Sequence, residues 1–285
     1  MEVILFSVYG SDRLLVGVRM VVMLYILGST RSGTSALRNA IAETRYRGFG
    51  EGHLVPMLVD MIDTVRREKR TGIGHDVSGT GLHHLDPDAL LRALFDGYER
   101  HLADELECSH ILDKTPTVAP IRAAPDLATY HGDAKFIYCA RRHVDNVQSK
   151  LVKFPEKRLE QHAEEWAACH AAWVDARARL DAQGQDYLEL DFFDLATDCE
   201  GVAARIGAYL ALDRDETDGI ARYLTSQRPQ AEPGRDLTRF LRLSDLPWSE
   251  EQKALFRTIA SPVGATLGYG FESYWEAQKS DTFQR

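Results

Sequence analysis

Residues 21–43, VVMLYILGSTRSGTSALRNAIAE, decide the fold of this chain. The run from Val21 to Leu27 is apolar on both faces, the pattern of a central parallel strand covered by helices on each side. Gly28 ends it, a glycine-bounded loop follows, and Leu37, Ala40 and Ile41 then recur at helical spacing. Strand, glycine loop, helix is the context in which backbone N–H groups curl around an anion and a helix N-terminus adds its positive end. The glycine spacing from Gly28 to Gly33 is that of G-x-x-x-x-G-K-[ST], with Thr34 where lysine is expected. A triphosphate bound with Mg²⁺ calls for that lysine. Here the cation is Arg31, inside the loop, which suits an anion of lower charge. A plain glycine turn joining a strand to a helix is the competing reading.

Outward from this stretch, HILD (110–113), KFIYCA (135–140) and DYLELDFF (186–193) read as three further strands. Asp86-Pro87 reads as a helix N-cap and first helical residue, leading into Leu90, Leu91, Leu94 and Phe95. A long helix is expected over 157–183, with Trp166 and Trp173 on its core face, and another around Val202, Ile206 and Leu210. Ser249 and Gln252 have the spacing of a capping box ahead of Leu255, Phe256 and Ile259. Alternating strands and helices predict an α/β fold, a P-loop-like three-layer domain with a central parallel β-sheet flanked by helices. One domain is expected over 21–275, with residues 1–20 an extension of uncertain structure; a true start at Met20 or Met23 explains that extension equally well.

A second signal lies in KFIYCARRHVDNVQSKL. A buried strand ends at Arg141, and Ser149 follows on the next helix. An arginine at the C-terminal end of such a strand points into the crevice where α/β folds bind ligands, and a nearby hydroxyl gives the same anion a second donor. A surface arginine and a helix-face serine are the alternative. Two candidate bases, Glu51 and His53, stand in RGFGEGHLVP, and Asp113 and Lys114 follow an apolar strand in ILDKTP. In isolation, each of these reads as a solvated loop charge.

These motifs together resemble the sulfotransferases that use 3′-phosphoadenosine 5′-phosphosulfate (PAPS). LYILGSTRSGTSAL is similar to their 5′-phosphosulfate loop, in the branch with an RSGTS sequence that includes tyrosylprotein sulfotransferases and many bacterial members. The resemblance implies that Arg31, Ser32, Gly33, Thr34, Ser35 and Ala36 hold the phosphosulfate. It also implies that Arg141 and Ser149 take the 3′-phosphate, with Ser149 able to reach both phosphate ends. Arg142 and His143 depart from the Asp-Pro that many members carry there. The same branch places a glutamate base in a Gly-Glu pair ahead of a proline, which Glu51 and Pro56 match. His53 competes as base, because cytosolic members use histidine. Lys114 matches a lysine on the leaving-group side. The implied activity is in-line transfer of a sulfuryl group from PAPS, as co-substrate, to an acceptor hydroxyl or amine. The rivals are a P-loop kinase using ATP and Mg²⁺ on a small molecule, and a catalytically inactive nucleotide-binding module.

The formal net charge of −9 argues against nucleic acid and polyanionic partners and leaves a small-molecule, glycan or lipid acceptor. The expectation is of no membrane anchor and a cytoplasmic protein with free thiols at Cys108, Cys139, Cys169 and Cys199. His75, Asp76, His83 and His84 lie in a glycine-rich stretch that nothing forces into a metal site, so no metal is expected. Arg228, Arg235, Arg239 and Arg242 form a basic segment that reads either as a lid over a nucleotide or as a solvated loop.

Overall fold

The computed structural model describes residues 21–227, 236 and 239–276. The 1–20 extension, and Arg228 and Arg235 of the basic segment, lie outside the described residues. Four strands, β1 (Val22–Gly28), β2 (His110–Lys114), β3 (Ala134–Ala140) and β4 (Leu188–Asp191), form one parallel sheet in the order β2-β1-β3-β4. Eleven α-helices appear among the described residues: α1 (Thr34–Ile41), α2 (Val55–Thr71), α3 (Gly81–His84), α4 (Pro87–Glu105), α5 (Val118–Tyr130), α6 (His143–Lys153), α7 (Leu159–Gln183), α8 (Phe192–Thr197), α9 (Cys199–Tyr209), α10 (Arg214–Ser226) and α11 (Glu250–Leu267).

The unbroken apolar run of β1 has its reason in two cores. Met23, Tyr25 and Leu27 face the core built by α2, α4, α5, α7 and α11, while Leu24 and Ile26 face the core of α1, α9 and α10. Each fully buried side chain of this size contributes about 1.5–3 kcal/mol. The period of two also aims the polar end of β2. Asp113 pairs in register with Tyr25 and Lys114 with Ile26, so the two neighbours point to opposite faces of the sheet.

The helix caps follow the sequence reading. Asp86 accepts from the N–H groups of Asp88 and Ala89, and Ser249 and Gln252 form a reciprocal capping box. Trp166 and Trp173 are buried on α7, as expected. Two differences stand out. The strand expected over 186–193 ends at Asp191, because its carboxylate accepts the N–H of Phe193 at 2.7 Å and starts α8. Helices α2, α5 and α10 extend the expected set; α5 carries Pro120 and Pro125, which mask its periodicity.

One buried group gives the fold a pH signature. His170 accepts or shares a proton with Tyr138 (Nδ1 to hydroxyl, 2.6 Å), and burial, with Lys150 adding, pushes its pKa down to about 3. The folded state therefore keeps the ring neutral, and its contribution to stability is complete above about pH 6.5 and falls as pH drops toward 3. Asp113 and Asp191, pushed up to about 6 by burial, act in the opposite sense between pH 6 and 4. The readable quantity is thus the stability gap between the native chain and His170→Asn, from urea unfolding. That gap is expected to shrink by about 2 kcal/mol between pH 6.5 and 4.5; a constant gap would mean that His170 is not held neutral.

Candidate active site

The glycine loop is shaped by three residues in the left-handed or adjoining region: Gly28 at φ 151°, Arg31 at 67° and Gly33 at 87°. Glycine is required at two of them. A Cβ on Gly28 would meet the Cys139 carbonyl oxygen at 2.5 Å, and one on Gly33 would meet Phe192 at 2.7 Å. The end of β3 and the start of α6 then fix the loop. Arg141 donates to the Arg31 carbonyl at 2.7 Å, and the Asn146 amide donates to the Thr30 carbonyl and the Ser32 hydroxyl at 3.0 and 3.1 Å. Helix α1 starts at Thr34 with no side-chain cap and no acid in its first turn. The first-turn N–H groups of Thr34, Ser35 and Ala36 have no intrahelical partner, and they present positive potential to the loop's mouth.

The two sequence motifs meet here: Arg31 Nε donates to Ser149 Oγ at 3.1 Å. Arg141 is buried, lies 4.0 Å above the Phe192 ring, and has its carbonyl tied by Trp166 Nε1 at 2.9 Å. It lines a cleft with Asp145, Phe193, Arg239, Phe240 and Tyr274.

On the other side of α1, the side chains from residues 51–53 and β2 converge. Lys114, 2% exposed, donates to Ser35 Oγ at 3.3 Å and pairs with Glu51 Oε1 at 2.5 Å. His53 Nε2 stands 2.8 Å from Glu51 Oε2. The Lys114 bond holds the Glu51 carboxyl below the ordinary glutamate range, against a smaller opposing effect of burial. Hydrogen bonds thus tie Arg31 to Ser149 and Arg141 on one flank of the loop, and Ser35 through Lys114 to Glu51 and His53 on the other.

The Arg142-His143 departure has a structural use. Arg142 is fully buried, pairs with Asp145 at 2.7 Å, and donates to the carbonyls of Leu241, Gly270 and Ser273. It fastens the C-terminal segment beside Arg141. Tyr269 and Tyr274 donate to Asp191 from the same segment. Arg239 pairs with Asp236 at 3.3 Å and reaches the cleft, so part of the basic segment borders the Arg141 side. His75 and His83 bond backbone carbonyls of their own loop. Asn146, Phe192 and Thr115 were not picked out by sequence reasoning. Asn146 and Phe192 do sit at strand–helix junctions, where ligand-facing groups concentrate.

The sulfotransferase family profile matches residues 24–216, well over half of the chain, and the chain belongs to the sulfotransferase family. The sulfotransferase domain from the Synechococcus PCC 7002 olefin synthase superposes with a TM-score of 0.51 at 19% identity, covering 85% of this chain and 95% of that domain. The sulfotransferase domain from the curacin biosynthetic pathway aligns at 16% identity and TM-score 0.48, over 89% of this chain and 99% of that one. Sulfotransferase STF9 from Mycobacterium avium aligns at 15% and 0.48, over 89% and 79%. At such identity the first of these establishes a common fold. No curated protein sequence matches the chain. The enzyme is a sulfotransferase with a P-loop-like α/β domain. No helix among the described residues is long and apolar enough to cross a membrane.

Proposed function

We propose that the enzyme transfers a sulfuryl group from PAPS to an acceptor hydroxyl or amine, with Glu51 as base. The observation that carries this reading is the position of Lys114, in reach of both Ser35 on the loop and Glu51 beside it. In the proposed step, Glu51 takes the acceptor proton while the acceptor oxygen (or nitrogen) bonds to sulfur. The bond from sulfur to the bridging phosphate oxygen breaks, and the departing 3′-phosphoadenosine 5′-phosphate keeps that electron pair. Arg31, Lys114 and the first-turn N–H groups of α1 stabilise the negative charge that grows on the leaving group. Lys114 is the switch between the two halves of the site. Paired with Glu51 it restrains the base, and drawn toward the leaving oxygen it releases it.

Arg141 and Ser149 are proposed to hold the 3′-phosphate, with Phe192 beneath Arg141. Three cations, Arg31, Lys114 and Arg141, and a helix N-terminus supply the positive charge this reading needs, so it needs no metal. The acceptor is proposed to be a small molecule, glycan or lipid entering beside residues 50–110, in keeping with a net charge of −9. The four cysteines are unpaired, which fits a reducing compartment such as the cytoplasm.

Thermal unfolding tests the donor. At about 100 times its dissociation constant, 3′-phosphoadenosine 5′-phosphate is expected to add about 2.7 kcal/mol, a rise of about 5 °C for a chain of this size. AMP is expected to give little, and Arg141→Ala to remove most of the shift. A shift with ATP and Mg²⁺ in place of the bisphosphate would make the enzyme a nucleotide-dependent kinase and overturn the reading.

A further inference from the structure

A buried carboxylate with little to satisfy it is costly, and Asp113 is such a group. It is 6% exposed at the end of β2, on the opposite face of the sheet from Lys114. Burial pushes its pKa up to about 6, against the lowering influence of Thr115, His53 and Lys114. Tyr25 and Tyr98, from β1 and α4, lie close enough to feel its charge, and the Tyr98 hydroxyl has no hydrogen-bond partner among the described residues. The mechanism above makes no use of it.

Its surroundings give it a task. Asp113 Oδ2 occupies the place where a side chain on Gly52 would begin: a Cβ there would lie 1.6 Å from it. Asp113 Oδ1 accepts from Thr115 Oγ1 at 3.3 Å, and the same Thr115 oxygen accepts the His53 main-chain N–H at 2.9 Å. His53 has φ 54°, a left-handed conformation that costs a non-glycine residue about 1–2 kcal/mol. The turn at 51–53 is therefore strained, and it is also what brings the Glu51 carboxylate between Lys114 and the His53 ring. A hydroxyl whose proton is committed to a carboxylate has its lone pairs free for the backbone N–H.

We propose that Asp113 and Thr115 are positioning residues for the base: the carboxylate orients the Thr115 hydroxyl, which holds the left-handed turn and so aims Glu51. Neither residue touches the donor in this arrangement. The inference rests on Glu51 being the base, and the experiment is chosen to separate the two.

The test is PAPS turnover with water as acceptor, read as release of 3′-phosphoadenosine 5′-phosphate, in Thr115→Val, Thr115→Ser, Asp113→Asn and Asp113→Ala. Thr115→Val keeps the shape and removes the hydroxyl. It is expected to lower kcat at least tenfold with KM for PAPS, and the thermal shift with the bisphosphate, within twofold of the native chain. Thr115→Ser restores kcat to within about threefold. Asp113→Asn, which still accepts from Thr115, stays near the native rate, whereas Asp113→Ala follows Thr115→Val. Native kcat in Thr115→Val overturns the proposal. So does a parallel loss of kcat and bisphosphate binding, the sign of general disruption. Glu51→Gln, assayed alongside, makes the separation. If it turns over normally the base reading fails and this inference with it; if it is inactive while Thr115→Val is unaffected, only this inference fails.

Discussion

Glu51→Gln is expected to lower kcat for sulfuryl transfer by about a thousandfold, within the range that general-base catalysis supplies, while binding of 3′-phosphoadenosine 5′-phosphate stays within twofold. The substitution keeps the volume of the side chain and a hydrogen bond to Lys114, and removes the charge that takes the acceptor proton. Because the Lys114 bond holds the Glu51 carboxyl below its ordinary range, this carboxyl, the proposed base, is ionised throughout neutral pH. The acid limb of kcat/KM is therefore expected below pH 4.5, with activity lost as pH falls through it; an acid limb near 6.5 would point to a histidine instead. His53→Ala decides between the two candidates. With Glu51 as base it should cost at most about tenfold, through the lost contact at 2.8 Å. A silent Glu51→Gln beside an inactive His53→Ala would hand the role to His53.

The second large effect is expected at Arg31. Arg31→Ala should lower kcat by about a thousandfold, the scale on which preorganised charge stabilises a transition state. The side chain bonds Ser149 from the second motif, and its carbonyl anchors Arg141, so one residue ties together the two motifs proposed to hold the donor. Its left-handed backbone is costly for alanine as well. Arg31→Gly therefore makes the cleaner comparison: it relieves the backbone while removing the same charge, and should be equally inactive. Arg31→Lys keeps the charge but not the planar fork, and should recover part of the rate. A variant lacking the guanidinium that retains a tenth of native kcat would remove Arg31 from the mechanism.

Much of this site was legible along the chain because its parts are local. An apolar run followed by Gly28, Gly33 and a helix is a complete structural statement within 21–41, since backbone freedom at glycine and the unpaired N–H groups of a helix start need no distant partner. The same holds for Asp86 and Ser249 as caps, and for Arg141 at the end of a buried strand. The strand expected through 193 failed for a local reason too, but a subtle one: Asp191 can cap a helix as easily as it can extend a strand. Helix α5 hid behind its prolines.

The sequence alone determined a parallel α/β sheet, a strand–glycine loop–helix unit carrying Arg31 where no loop lysine stands, and an arginine, Arg141, just past the end of a buried strand, because these follow from periodicity and from chemistry within a few residues. Only the tertiary structure decided which charges meet. Glu51 and Lys114 are paired because β1 and β2 lie in a register that sends Lys114 toward α1 and Asp113 to the other face. Gly52 then folds against that second face, and Thr115 holds the turn above it. A one-residue shift in that register would exchange the two side chains. Register is a property of strand pairing, and no stretch of either strand contains it.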